Sequence, residues 1–136
     1  MRTRARELAL KGLYAFECGE TDAKDDFSNI VTGESLPPAT FEYARRLFRL
    51  TREHQAWADT QINDLSQNWD LKRMATLDLI ILRLALVELS KMPDVPVKVV
   101  INEAIELART YSTIDSGSFI NGILDAFIHK KPKTAP

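Results

Sequence analysis

A chain of 136 residues carrying 18 Lys and Arg against 19 Asp and Glu fits one domain, and its net charge of −1 excludes a protein that coats nucleic acid over its whole surface. The single cysteine, Cys18, excludes an intrachain disulfide and suits a reducing cytoplasm. The longest apolar run, 79–82, is far too short to span a membrane, and Glu7 and Lys11 interrupt the stretch behind the basic N-terminus where a signal peptide would be apolar, so a cytoplasmic protein with no membrane partner is expected. Charge is nonetheless unevenly placed. Residues 1–13 hold Arg2, Arg4, Arg6 and Lys11 against Glu7 alone, and 20–26 hold Glu20, Asp22, Asp25 and Asp26 against Lys24. A local phosphate-facing patch at the basic end is compatible with the neutral sum.

Glycine and proline are sparse and cluster between periodic segments, which predicts helices joined by short loops. In the first helix, expected over 3–18, Ala5, Leu8, Ala9, Gly12, Leu13 and Phe16 form one apolar stripe, and Gly19 is the stop. Arg2 and Arg6 share a face of it and Arg4 points away from them. Phe27, Ile30 and Val31 suggest a short second helix, closed by Gly33 and Pro37-Pro38. A third is expected over 39–67, buried through Phe41, Ala44, Leu47, Phe48, Ala58, Ile62 and Leu65, with Trp57 fitting either that side or a neighbouring groove. Asn68-Trp69-Asp70 is a break, after which Asp70 can cap a turn to Met74 and Thr76 can cap a helix over 77–92. That helix is apolar nearly all round, so it is either central to the fold or covered by a partner. Pro93 ends it, and Pro96 opens a helix to 111 with Val97, Ile101, Ala104, Ile105 and Ala108 inward. Residues 111–114 connect to a last helix over 116–130, capped by Asp115, with Phe119, Ile120, Ile123, Leu124 and Phe127 inside, and a Lys/Pro tail beyond it. No segment alternates with the period of a strand. The expected class is all-α, a helical bundle of six or seven helices packed around the 77–92 helix, in one domain over 1–130 with halves at 1–67 and 68–130 and a flexible tail at 131–136.

A search for catalytic residues finds none. His54 and His129 fall on exposed positions of different helices, no His/Cys cluster has metal-ligand spacing, and no glycine-rich phosphate loop occurs. Asp115-Ser116-Gly117-Ser118 lacks the strand before it that a serine nucleophile elbow requires and reads better as a helix start. Cys18 reads as a small buried apolar residue. No enzyme activity, cofactor or metal is expected.

Four ordered segments carry a family resemblance. They are Arg4-Ala5-Arg6-Glu7-Leu8-Ala9 with Leu13-Tyr14, then Trp69 to Met74 with Ile81 to Leu89, then Asp94 to Ala108, then Asp115 to Asp125. Together they resemble the NusB transcription antitermination factors, while residues 20–67 match mainly in helical pattern. The resemblance implies an all-helical fold of two perpendicular subdomains. It also implies binding of boxA RNA in ribosomal RNA transcripts, together with the small-subunit ribosomal protein NusE, in a complex that helps RNA polymerase read through terminators.

Single-stranded RNA is held by cations on phosphate and by aromatic rings under unpaired bases. Arg2, Arg4 and Arg6 are the expected cations, or else a solvated helix start. Tyr111 and Phe119 match family positions that present rings to RNA; their plainer roles are a loop plug and a core residue. Asp78 and Asp115 match acidic positions on the NusE side, and each also suits the first turn of a helix. Tyr14 matches a family position whose change disturbs function. The sequence departs from the family at Ser118, where a basic residue is frequent, at Val87 in place of Tyr and at Ser112 in place of Gly. One cation fewer weakens phosphate attraction and flattens its salt dependence. Two alternatives stand beside the adaptor: a helical scaffold that has lost RNA binding, and a detached RNA-binding domain of a ribosomal RNA cytosine methyltransferase.

Overall fold

Proline and glycine set most helix limits in the computed structural model, which describes residues 2–19, 27, 36–66, 74–113 and 115–130. Among these residues lie six helices and no strand: α1 (Arg2–Glu17), α2 (Pro38–Glu53), α3 (Gln55–Leu65), α4 (Thr76–Lys91), α5 (Val97–Tyr111) and α6 (Ser116–His129). Gly19 ends α1 at φ 75°, a left-handed conformation that residues with a Cβ adopt at a cost. Pro38 opens α2 behind Pro37, and Pro96 immediately precedes α5, its carbonyl accepting from the Val99 and Val100 amides.

The expected helix over 39–67 is two helices, broken at His54 (φ −108°, ψ 18°). The buried face runs Ala44, Leu47, Phe48, Thr51 and then Ala58 and Ile62. Thr51 and Ala58 are seven residues apart, about two turns, so the apolar stripe stays in phase across the break and hides it. His54 is consequently half-buried at the junction instead of exposed. Of the expected second helix only Phe27 is described: it is helical, 1 % exposed, and its ring lies 5.6 Å from Phe41 and 5.1 Å from Phe48. Gly12 of α1 makes room for that ring, since a Cβ there would stand 3.1 Å from Phe27 and 3.2 Å from Phe48. The proposed Asp70 cap and the tail at 131–136 lie outside the described residues.

Helix α4 packs against all five others, which explains its apolar circumference: residues 80–88 are buried without interruption. The alternative that a partner covers it is thereby settled in favour of the fold. α2 packs on α1, and α3 packs on α4 and α6, where Trp57 meets Phe127 edge to face at 6.2 Å. Three further positions depart from expectation. Val97 is 45 % exposed because the covered face of α5 begins a turn later, at Val100. Cys18 is exposed, lying past the last turn of α1. Thr76 is the first residue of α4, and Ala75 precedes it with no side-chain cap.

Candidate nucleic-acid interface

Helix α4 buries three charged residues, Asp78, Arg83 and Glu88, five residues apart. At about 100° per residue, each step of five turns the side chain by about 140°, so the three point in three directions around the axis. Each therefore meets a different part of the fold. Arg83 takes Asp59 of α3 through Nε and Nη2 (2.7 and 3.1 Å) and Glu17 of α1 through Nη1 (3.1 Å). Glu88 receives the Arg6 fork, with Nε at 2.9 Å and Nη2 at 2.5 Å, and the Tyr43 hydroxyl at 2.6 Å. Asp78 receives the hydroxyls of Ser112 at 2.7 Å and Ser116 at 3.0 Å, which pins the α5–α6 connector to the start of α4.

These pairings divide the predicted RNA-facing arginines. Arg6 is 4 % exposed, and its remaining Nη1 donates to Glu103 at 3.1 Å. Burial alone would lower the Arg6 pKa, but the hydrogen bond and charge of Glu88 outweigh it and hold the guanidinium above its ordinary value. The expectation of a phosphate contact from Arg6 is thus corrected: its cation is enclosed and committed to two carboxylates. The Arg–carboxylate geometry is what a helix stripe cannot announce, because the partners stand 82 and 97 positions away. Arg2 is exposed, with its guanidinium 4.7 Å from the centre of the Tyr43 ring. Burial first, then the Glu88 hydrogen bond, push the Tyr43 phenol well above its ordinary range and keep it a neutral donor.

Arg4 points the other way, as expected. Its Nη1 donates to Glu7 at 3.4 Å, and the other oxygen of Glu7 accepts the Tyr111 hydroxyl at 3.1 Å. The basic N-terminus and the predicted ring of Tyr111 are therefore neighbours, joined through one carboxylate. Arg4, Glu7, Lys11 and Tyr14 recur at the spacing of one helical face. Tyr14 is 38 % exposed on it. Lys11 is exposed on the same face, a cation that the sequence reading counted but did not place at the site.

One residue beyond Tyr111, the connector leads to an open groove of about 380 Å³ lined by Met74, Ala75, Asp78, Thr113, Asp115 and Phe119. Phe119 is half-buried, so part of its ring packs on the core and part faces this groove. Asp115 is exposed and does not cap α6 with its side chain: its backbone is already helical (φ −83°, ψ −13°). Ser116, the first residue of α6, instead ties the helix back to the connector, its Oγ accepting the Thr113 amide at 3.4 Å while it donates to Asp78. The Ser112 hydroxyl, present where a glycine is frequent in the resembled family, adds a second donor to Asp78. Asp78 is thus an internal anchor at the rim of the groove and not a free surface carboxylate. Among the described residues no group of three or more His, Cys, Asp or Glu is placed to hold a metal, and no helix is long and apolar enough to cross a membrane.

A helical frame with a basic N-terminal end beside a ring-lined groove defines a class of small all-α interaction proteins. The chain belongs within that class to the NusB family, whose model matches residues 3–129. A transcription antitermination protein NusB of Anaeromyxobacter dehalogenans is 44 % identical over 125 residues, covering 91 % of this chain and 87 % of the relative. That of Desulforamulus reducens is 38 % identical over 135 residues, covering 99 % and 94 %. Among solved structures, T. maritima NusB superposes with a TM-score of 0.85 at 34 % identity, over 100 % of this chain and 94 % of that one. The antitermination factor NusB in a complex with NusE and double-stranded RNA superposes with a TM-score of 0.80 at 25 % identity, over 93 % and 96 %.

Proposed function

We propose that this protein is a transcription antitermination factor that binds boxA-type single-stranded RNA of ribosomal RNA transcripts together with the ribosomal protein NusE, and so promotes read-through of terminators by RNA polymerase. It acts by binding and not by catalysis, in the cytoplasm where transcription takes place. The observation that carries this reading is the Arg4–Glu7–Tyr111 link, because in it a half-buried cation and an aromatic ring share one carboxylate next to the Phe119 groove. One strand can then lay its phosphates on Arg2, Arg4 and the N-terminal dipole of α1, whose first turn has no acidic residue, while unpaired bases reach Tyr111 and Phe119. Arg6 contributes indirectly, by fixing the first turn of α1 to α4. Tyr14 and Asp115 are both exposed and face the protein partner in this reading, and Asp78 shapes that surface from beneath. The relatives named antitermination proteins and the solved NusB–NusE–RNA complex support the same reading.

The test is a titration of boxA-like RNA with and without NusE over a salt series. Binding is expected to be weak alone, stronger with NusE, and to fall as salt rises. No enhancement by NusE, or salt-independent binding, contradicts the reading.

A further inference from the structure

Helix α2 carries a second basic surface that this site does not use. Ala39, Glu42, Tyr43, Arg45, Arg46 and Arg49 line an open groove of about 540 Å³. Among the described residues Arg45 and Arg49, about half exposed, meet only Glu42 at 3.6 Å and Glu53 at 3.7 Å, pairs loose and solvated enough for another anion to replace. Arg46 is exposed and has no carboxylate partner among the described residues. The groove is continuous with the N-terminal site through one contact, since Arg2 lies over the Tyr43 ring that forms part of the groove wall. Between α1 and α5 the surface from Thr3 to Thr110 is lined by Glu7, Glu103 and Glu106, each already paired with an arginine, so it offers phosphate no uncommitted cation. A polyanion leaving Arg2 away from the Tyr111 edge therefore meets its densest group of cations along α2.

We propose that the sugar-phosphate backbone of RNA flanking the recognised element passes around the N-terminal end of α1 and continues along the α2 groove over Arg45, Arg46 and Arg49. The contact rests on the RNA-binding reading above and extends it. It reads no bases, because the groove offers cations and no free aromatic face: the Tyr43 ring is taken by Arg2 and its hydroxyl by Glu88. Its effect is affinity that grows with the length of the strand.

The experiment compares a short RNA limited to the boxA-like element with RNAs extended by about ten nucleotides of uridine at the 5′ or the 3′ end. Each is titrated into wild-type protein and into a triple variant, R45A/R46A/R49A, over a salt series with NusE present. All three positions face solvent, and a thermal melt verifies that the variant keeps its fold. The wild type is expected to bind one extended RNA at least tenfold tighter than the short one, and the triple variant to lose that gain while binding the short RNA unchanged. Each lost phosphate contact flattens log K against log salt by about 0.7, so the slope for the extended RNA falls by about 2. Equal affinity for short and extended RNAs in the wild type, or an extended-RNA gain that survives in the triple variant, overturns the groove and leaves the core site standing. A variant weakened equally for short and extended RNA also overturns it. Failure of the wild type to bind the short RNA refutes the RNA-binding reading itself, and the groove proposal with it.

Discussion

The two ends of α4 each bury a carboxylate, and they neutralise it differently. Glu88 is closed over by the charge of Arg6 and the phenol of Tyr43 and is 3 % exposed. Asp78 is held by two neutral serine hydroxyls at the rim of an open groove that contains Phe119. A charge met by a charge inside the fold locks helices together; a charge met by hydroxyls on a connector shapes a surface and leaves it open. The difference teaches where to look for function, because Arg6, the most enclosed of the three N-terminal arginines, is the one that ties α1 to α4 and α5.

The contrast breaks most visibly at Glu88. Glu88→Ala leaves the Arg6 guanidinium buried without its main partner, and loss of about 3–5 kcal/mol is expected in urea unfolding. Gly12→Ala probes the α1–α2 contact through packing alone: the added Cβ meets the Phe27 and Phe48 rings at 3.1–3.3 Å, overpacking of this kind costs about 1–3 kcal/mol, and about 1 kcal/mol of it is offset by the helix preference for alanine, so a net loss of up to about 2 kcal/mol is expected. At the other end Asp78→Asn keeps an acceptor for one serine and removes the charge, so a smaller loss of about 1–2 kcal/mol is expected by the same unfolding measurement. A loss at Asp78 equal to that at Glu88 would erase the distinction between the two ends.

The smallest effect sharpens the comparison by pH. The Tyr43 phenol is held above its ordinary value in the folded protein. Above about pH 10 the unfolded chain releases this proton and the folded chain does not, so stability present at neutral pH declines as pH rises. Melting temperatures from pH 8 to 11 should fall more steeply for wild type than for Tyr43→Phe, which lacks the ionisable group.

How much of this was legible follows from range. The stripe of α1, the Gly19 stop, the all-round apolar α4 and the inner face of α6 are local patterns, and they stand as read. The break at His54 left no local mark, because Thr51 and Ala58 keep the stripe in phase across it. The caps at Thr76 and Asp115 failed for a related reason: residue type permits a cap, but backbone geometry decides it. Arg2 is exposed and Arg4, Tyr111 and Phe119 are half-buried, whereas Arg6 and Asp78 read like surface charges in sequence and are interior. Their partners on α4, α5, the α5–α6 connector and α6 are distant in the chain, so periodicity carries no trace of them. Arg83 and Glu88 could have been found: charges placed in an otherwise apolar helix at intervals of five must each be met by an opposite group.

The ring of Phe119 offers the most direct check. Phe119→Leu keeps apolar volume against the core and removes the stacking face, so RNA affinity measured with NusE present should drop by about 1–3 kcal/mol, roughly 5- to 150-fold, with the salt slope unchanged. Undiminished affinity in that folded variant would contradict a groove in which an unpaired base stacks on this ring.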